Sequence, residues 1–251
     1  VHSIGFYKQQ ASGSGITINS VKVNGKVLPA DELSDLFIEF VGDSITAGAS
    51  NLVKFGEEAN PPERTSDAFN SYSTQTARIL GADWSNIAVS GGTLVKDTIN
   101  TPAKTCLPEE YVKNNRVENV AWDFQNNRTA DIVVVNFGVN DSSVVKVLAA
   151  EAGQTNEEFF ADRAVEFAHY LMEVNGEDVQ IIFAHGLMTT NRIYADDGYE
   201  LAVEKLKAEG FNNACYFRLP ANRDGGGGHP SVPGARIAAE ALAEFINENY
   251  R

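Results

Sequence analysis

From residue 37 onward, short apolar runs alternate with longer stretches in which apolar residues recur every three or four positions. The runs are FIEFVG (37–42), WSNIAVSG (84–91), DIVVVNFG (131–138), VQIIFAHG (179–186) and ACYFRL (214–219). They are too short for helices, are rich in Val, Ile and Phe, and mostly end on glycine, which predicts buried strands. Between them, SYSTQTARILG (71–81), NEEFFADRAVEFAHYLMEV (156–174), YELAVEKLKAEG (199–210) and SVPGARIAAEALAEFINEN (231–249) carry helical periodicity. Thr155 or Asn156 supplies a capping-type start to the second of these. Parallel neighbours need crossover connections, so this alternation predicts about five parallel strands with helices on both faces. The expected class is α/β, a three-layer α/β/α fold of flavodoxin-like type.

The first 36 residues follow another pattern. Ile16, Ile18, Val21, Val23 and Val27 alternate with polar residues, and Asn24–Gly25 is a hairpin turn signal. Two or three strands cannot bury a face by themselves. The expected division is therefore a β segment over 1–36 and a main domain over 37–251. The segment either lies against the main domain or ends a β-domain whose earlier strands precede it.

Composition narrows the function classes. The 251 residues are 43% hydrophobic and 22% charged, ordinary values for a chain with a sizeable core. A formal charge of −14 argues against nucleic acid, whose phosphates need a basic surface, and against an anionic membrane. It suits a neutral or weakly polar substrate. No apolar run approaches the roughly 18 residues that span a bilayer. The chain opens VHSIGFYK with no initiator Met, as a processed product would, so lack of a leader does not locate it. Cys106 and Cys215 stand far apart in no metal-type spacing, as one disulfide or two buried thiols.

Ligands of open α/β sheets sit outside the carboxyl ends of the strands. The segments that follow strands there are GDSITAG (42–48), SGGT (90–93) and GVND (138–141), and GGGGHPS (225–231) precedes the last helix. A serine hydroxyl is a poor nucleophile until a base takes its proton, and acyl transfer needs fixed donors for the developing oxyanion. Ser44 and His229 are the candidate nucleophile and base. The plainer readings are an N-cap at Ser44, a turn at Gly91–Gly92 and caps at Asn140 and Asp141. Asp43, His169 and His185 read as structural, although His185 ends a strand at the same sheet edge and could touch substrate.

These four blocks, in this order, resemble the SGNH (GDSL-type) hydrolases over roughly residues 38–247. The resemblance implies Ser44 as nucleophile, His229 as general base and an oxyanion hole from Ser44, Gly91 and Asn140. The family pattern carries its aspartate three residues before the histidine, where this chain has Gly226; the nearest carboxylate, Asp224, stands five before. Either the glycine loop folds so that Asp224 reaches the imidazole, or a backbone carbonyl near Gly226 takes its place and leaves a dyad.

FIEFVGDSITAG followed by SYSTQTARILGADWSNIAVSGGT is most similar to carbohydrate esterase family 2, two-domain acetyl esterases in which a jelly-roll precedes the hydrolase domain. That similarity implies removal of O-acetyl groups from xylan- or mannan-type carbohydrate outside the cell, with no metal or cofactor. It makes residues 1–36 the last strands of a jelly-roll whose front is missing. The rival readings are an SGNH esterase or lipase acting on lipid or other acyl esters, and a non-catalytic carbohydrate-binding protein using Trp84 and Trp122 as sugar platforms.

Overall fold

The structure, a computed structural model, describes residues 17–29, 32–59, 62–99, 105–115 and 120–250. Five parallel strands form one sheet: β1 (Phe37–Gly42), β2 (Asp83–Ala88), β3 (Ile132–Asn136), β4 (Gln180–His185) and β5 (Ala214–Arg218), in the order β2-β1-β3-β4-β5. The helices are α1 (Tyr72–Leu80), α2 (Ser142–Ala152), α3 (Asn156–Asn175), α4 (Tyr194–Ala208) and α5 (Val232–Tyr250). Two short helices (Pro62–Thr65, Leu107–Tyr111) and a small antiparallel pair (Lys113–Asn115 with Val120–Ala121) decorate the connections.

The period-2 alternation of strand side chains feeds two cores. Ile38, Phe40, Ile132, Val134, Ile182 and Ala184 face α1 and α5. Val41, Val133, Val135, Ile181 and Phe183 face α2, α3 and α4. Both faces are covered, which is why these strands read as continuous apolar runs rather than alternating ones. Strand order reverses at β1, between β2 and β3, so the loop after β1 emerges flanked by the loops after β2 and β3.

Helix ends follow their caps. Thr155 begins α3 with a reciprocal capping box to Glu158, and Gly81 stops α1 in the left-handed conformation. Helix α4 starts at Tyr194, ahead of the expected 199, because the Asp196 carboxylate accepts from the Ile193 amide at 2.7 Å. Gly198 sits inside the helix where a Cβ would lie 2.9 Å from the Phe160 ring of α3. Helix α2 had no counterpart among the expected elements.

The hairpin expected around Asn24–Gly25 does not form: residues 17–29 carry no strand, and Asn24–Gly25 is a bend. Ile16 lies outside the described residues. Ile18, Val21, Val23 and Val27 are exposed, Val27 by 73%. Alternation supplies an apolar face, but a strand also needs a neighbour for its amides and carbonyls.

Candidate active site

Strand β1 ends on Gly42, buried at the point where the chain turns sharply. A Cβ there would lie 2.2 Å from Thr46 Oγ1 and 2.9 Å from the Asn136 carbonyl oxygen, so only glycine lets the chain turn straight into the next loop. That loop winds into helical turns, with Ala47 N to Asp43 O at 3.0 Å and Ala49 N to Ser44 O at 2.9 Å. Ser44 is half-buried while Asp43 and Ile45 beside it are buried, so its hydroxyl stands at the sheet edge.

His229 Nε2 lies 2.9 Å from Ser44 Oγ, across 185 positions of chain. Its Nδ1 lies 3.1 Å from the carbonyl oxygen of Gly226. A carbonyl only accepts, so Nδ1 carries the proton and Nε2 presents its lone pair to the hydroxyl. Of the two arrangements left open by the sequence, the geometry has the carbonyl one. Asp224 is exposed, and its carboxylate takes a hydrogen bond from Asn222 Nδ2 at 2.8 Å. Burial pushes the His229 imidazole below its ordinary pKa, and the Gly226 bond only partly opposes this.

The glycine run is folded into place. Gly225 N donates to His229 O (2.8 Å), Gly226 N to Ser50 O (2.9 Å) and Gly228 N to Gly225 O (3.1 Å). Phe55 N donates to Asp224 O at 2.8 Å. A Cβ on Gly226 would meet Val53 Cγ2 at 2.6 Å, so a side chain there would displace the loop that holds the imidazole, while Gly227 has φ +64°, a conformation few side chains adopt.

Of the expected oxyanion donors, the amides of Ser44 and Gly91 donate no hydrogen bond among the described residues. Asn140 is already engaged: Nδ2 donates to Asp43 Oδ2 at 2.9 Å and to the Gly92 carbonyl at 3.1 Å. Asp43 is wholly buried and its other oxygen accepts from Ile45 N at 2.9 Å. Burial, with a contribution from the neighbouring Asp141, pushes the Asp43 carboxyl up to about 7. Asp141 is also wholly buried, and accepts from Val95 N at 2.8 Å and Gly138 N at 3.1 Å. Two carboxylates therefore tie the loops after β1, β2 and β3 together. Sequence reasoning read Asp43 as a structural loop residue and offered a cap as the plainer alternative for Asp141, which does stand at the N-cap position of α2; the signal for the ties they make was their place directly at strand ends beside the predicted donors.

Other candidates fall elsewhere. His185 is buried, its Nδ1 3.1 Å from Asp196 Oδ1, within a cluster that includes Tyr216 and Arg218. His169 pairs with Glu209 on the surface. Trp84 pairs with Ile38 at the end of the sheet opposite Gly42 and packs into the core, so it is no platform beside Ser44. Cys106 and Cys215 are free thiols. Among the described residues no cluster of three or more His, Cys, Asp or Glu is placed to hold a metal ion, and no helix is long and apolar enough to cross a membrane. A groove of about 680 Å³ adjoins the glycine loop, walled by Leu52, Val53, Phe55, Val232 and Pro233 with Asp224 at its side.

Comparison with known proteins accords with this geometry. Over 120 residues the chain is 33% identical to the cellulase/esterase CelE of Acetivibrio thermocellus, a match covering 48% of this chain and 14% of that much longer one. A family two carbohydrate esterase from Clostridium thermocellum, solved with cellohexaose, superposes with a TM-score of 0.76 at 25% identity, covering 89% of this chain and 67% of that one. The acetyl xylan esterase Est2A from the rumen bacterium Butyrivibrio proteoclasticus has the same fold, with a TM-score of 0.70 at 21% identity over 88% of this chain and 66% of that one. The GDSL-like Lipase/Acylhydrolase family profile matches residues 40–248, which take in Ser44, Gly91, Asn140 and His229, and the chain belongs to that family.

Proposed function

We propose that this protein is a serine esterase that removes O-acetyl groups from a carbohydrate through an acyl-enzyme. The observation that carries the reading is the 2.9 Å contact between Ser44 Oγ and His229 Nε2, with the tautomer fixed by Gly226. In the proposed sequence His229 takes the Ser44 proton as Oγ attacks the acetyl carbonyl. The resulting oxyanion is received by the amides of Ser44 and Gly91 and by Asn140. His229 returns the proton to the departing sugar oxygen, and the C–O bond to the sugar breaks. Water, deprotonated by the same imidazole, then attacks the acetyl-serine, and acetate leaves as Ser44 regains its proton.

Similarity to the cellohexaose-binding esterase and to Est2A supports a carbohydrate substrate, and the acidic surface suits a neutral one. The reading places the protein outside the cell, where acetylated xylan or mannan is met. It also assigns residues 1–36 to a segment separate from the hydrolase domain, a reading supported by the exposed apolar residues of 17–29. A second reading, an esterase or lipase for longer acyl chains, is favoured by one feature: the groove beside the glycine loop has apolar walls, with Leu52 and Phe55 exposed.

The test is acetate release from acetylated xylan, and hydrolysis of p-nitrophenyl acetate against butyrate, by wild type and Ser44→Ala. The proposal expects turnover strongest on acetate and a loss on the order of 10³-fold or more in Ser44→Ala. A preference for longer chains would select the second reading. Activity indifferent to Ser44→Ala would sink both.

A further inference from the structure

An oxyanion donor should be available when charge develops, yet both amide protons of Asn140 are taken in the structure. One goes to a carboxylate oxygen of Asp43 at 2.9 Å and the other to the neutral carbonyl of Gly92 at 3.1 Å. These two acceptors are not equivalent. Above about pH 7 Asp43 is ionised, and hydrogen bonds to an ionised acceptor are roughly twice as strong as neutral ones. Asp43 is also wholly buried, so a broken bond there would strand a desolvated carboxyl oxygen. The Gly92 carbonyl belongs to the residue after Gly91, whose amide is one of the proposed oxyanion donors. An alkoxide appearing beside Gly92 O offers the same proton a charged acceptor in place of a neutral one.

We infer that Asp43 is a positioning residue that anchors the Asn140 amide, while the Gly92 carbonyl holds its second proton only until the oxyanion develops. The inference rests on the esterase reading above. Asp43 touches no substrate; it acts through Asn140. The ester carbonyl of the ground state is a neutral acceptor like Gly92 O and gains nothing by displacing it, whereas the tetrahedral oxyanion does. The third donor is therefore engaged in the transition state and not in the Michaelis complex, which raises kcat without lowering KM. Asp43 Oδ1 has its own donor in Ile45 N, so the carboxylate does not rotate to follow the amide and the exchange is confined to one proton of Asn140.

The decisive experiment is a double-mutant cycle with p-nitrophenyl acetate on Asp43→Asn, Asn140→Ala and the pair. Asn140→Ala should lose on the order of 10²-fold in kcat, the cost of one oxyanion donor. Asp43→Asn should lose about 10-fold in kcat with KM changed less than about twofold. In the Asn140→Ala background the Asp43 substitution should cost nothing further beyond about twofold. A purely structural role would give the same factor in both backgrounds, and that additivity would overturn the inference.

If Asp43→Asn does not fold, the wild-type protein answers. Diethyl p-nitrophenyl phosphate phosphorylates an activated serine and leaves a phosphoryl oxygen in the oxyanion position. A crystal structure of that adduct should show Asn140 Nδ2 on the phosphoryl oxygen, the Asp43 contact kept and the Gly92 contact released. Asp43 released and Gly92 kept would refute the assignment. Absence of any reaction with the reagent would instead count against the serine esterase reading itself.

Discussion

The two sides of the Ser44 hydroxyl are built differently. Toward the proposed base, His229 has a neutral partner, the Gly226 carbonyl, in a loop closed on itself by backbone bonds. Toward the proposed oxyanion hole, two wholly buried carboxyl groups, Asp43 and Asp141, hold three loops that are far apart in sequence. Among the described residues no carboxylate stands behind the His229 imidazole, and acidic groups stand behind the proposed oxyanion donors instead. A carbonyl fixes the tautomer as well as a carboxylate does, but stabilises the imidazolium less. An ionised carboxylate makes hydrogen bonds worth about 1.5–3 kcal/mol each, against about 0.5–1.5 for neutral ones, and Asp43 is ionised above about pH 7. The stiffer construction therefore lies on the side of the proposed oxyanion hole, and the histidine side depends on how one glycine loop is folded.

Breaking the histidine side should have the largest effect. His229→Ala is expected to lower kcat on p-nitrophenyl acetate on the order of 10³-fold or more with little change in melting temperature. In the wild type, His229 must be neutral to act as base. Activity should rise with pH through its pKa and level off above it, with the acid limb below the ordinary imidazole range because burial lowers that pKa. Asp43, pushed up to about 7 beside Asp141 and within reach of Tyr72 and Tyr199, titrates nearby. A pH–rate profile of Asp43→Asn separates them, since a limb that persists there belongs to His229.

Much of this was legible from the sequence because it depends on local pattern. Val133, Val134 and Val135 announce a strand buried on both faces, and β3 is that strand. Ser44, Gly91 and Asn140 could be placed at one sheet edge because each follows a predicted parallel strand. What escaped depends on partners distant in sequence. Asp43 meets Asn140 across 97 positions, and nothing in GDS or GVND says whose proton goes to which oxygen. The alternation at Val21, Val23 and Val27 predicted strands where the structure has none, because a strand is completed only by its neighbour. Gly198 hid the start of α4 because the sequence marks it as a breaker, while its reason is the Phe160 ring of another helix.

The comparison can be sharpened by giving the base the charge it lacks. Gly227 has φ +64°, a conformation that Asp tolerates better than most residues, and a Cβ there would lie 3.5 Å from His229 Nδ1 with no closer neighbour. Gly227→Asp should stabilise the imidazolium and move the acid limb of kcat/KM to higher pH, by up to about one unit given the exposure of the site. Above that limb kcat should stay within about tenfold of wild type. A limb that does not move, in a protein of unchanged melting temperature, would mean that the Nδ1 side does not control the base.

The smallest effect should come from the residue that the sequence offered as the missing triad member. Asp224 is exposed and turned toward Asn222, whose side-chain oxygen in turn accepts from Ser231 N at 2.9 Å just before α5. Asp224→Asn keeps an oxygen able to accept from Asn222 and removes only a solvated charge. It should therefore change kcat/KM less than about twofold and leave the acid limb in place, since exposed charges contribute little. A fall approaching that of His229→Ala, with folding intact, would put the Asp224 carboxylate on the imidazole during turnover. The glycine loop would then be a hinge that closes a triad, rather than the fixed support that its bonds to Ser50 and Phe55 describe.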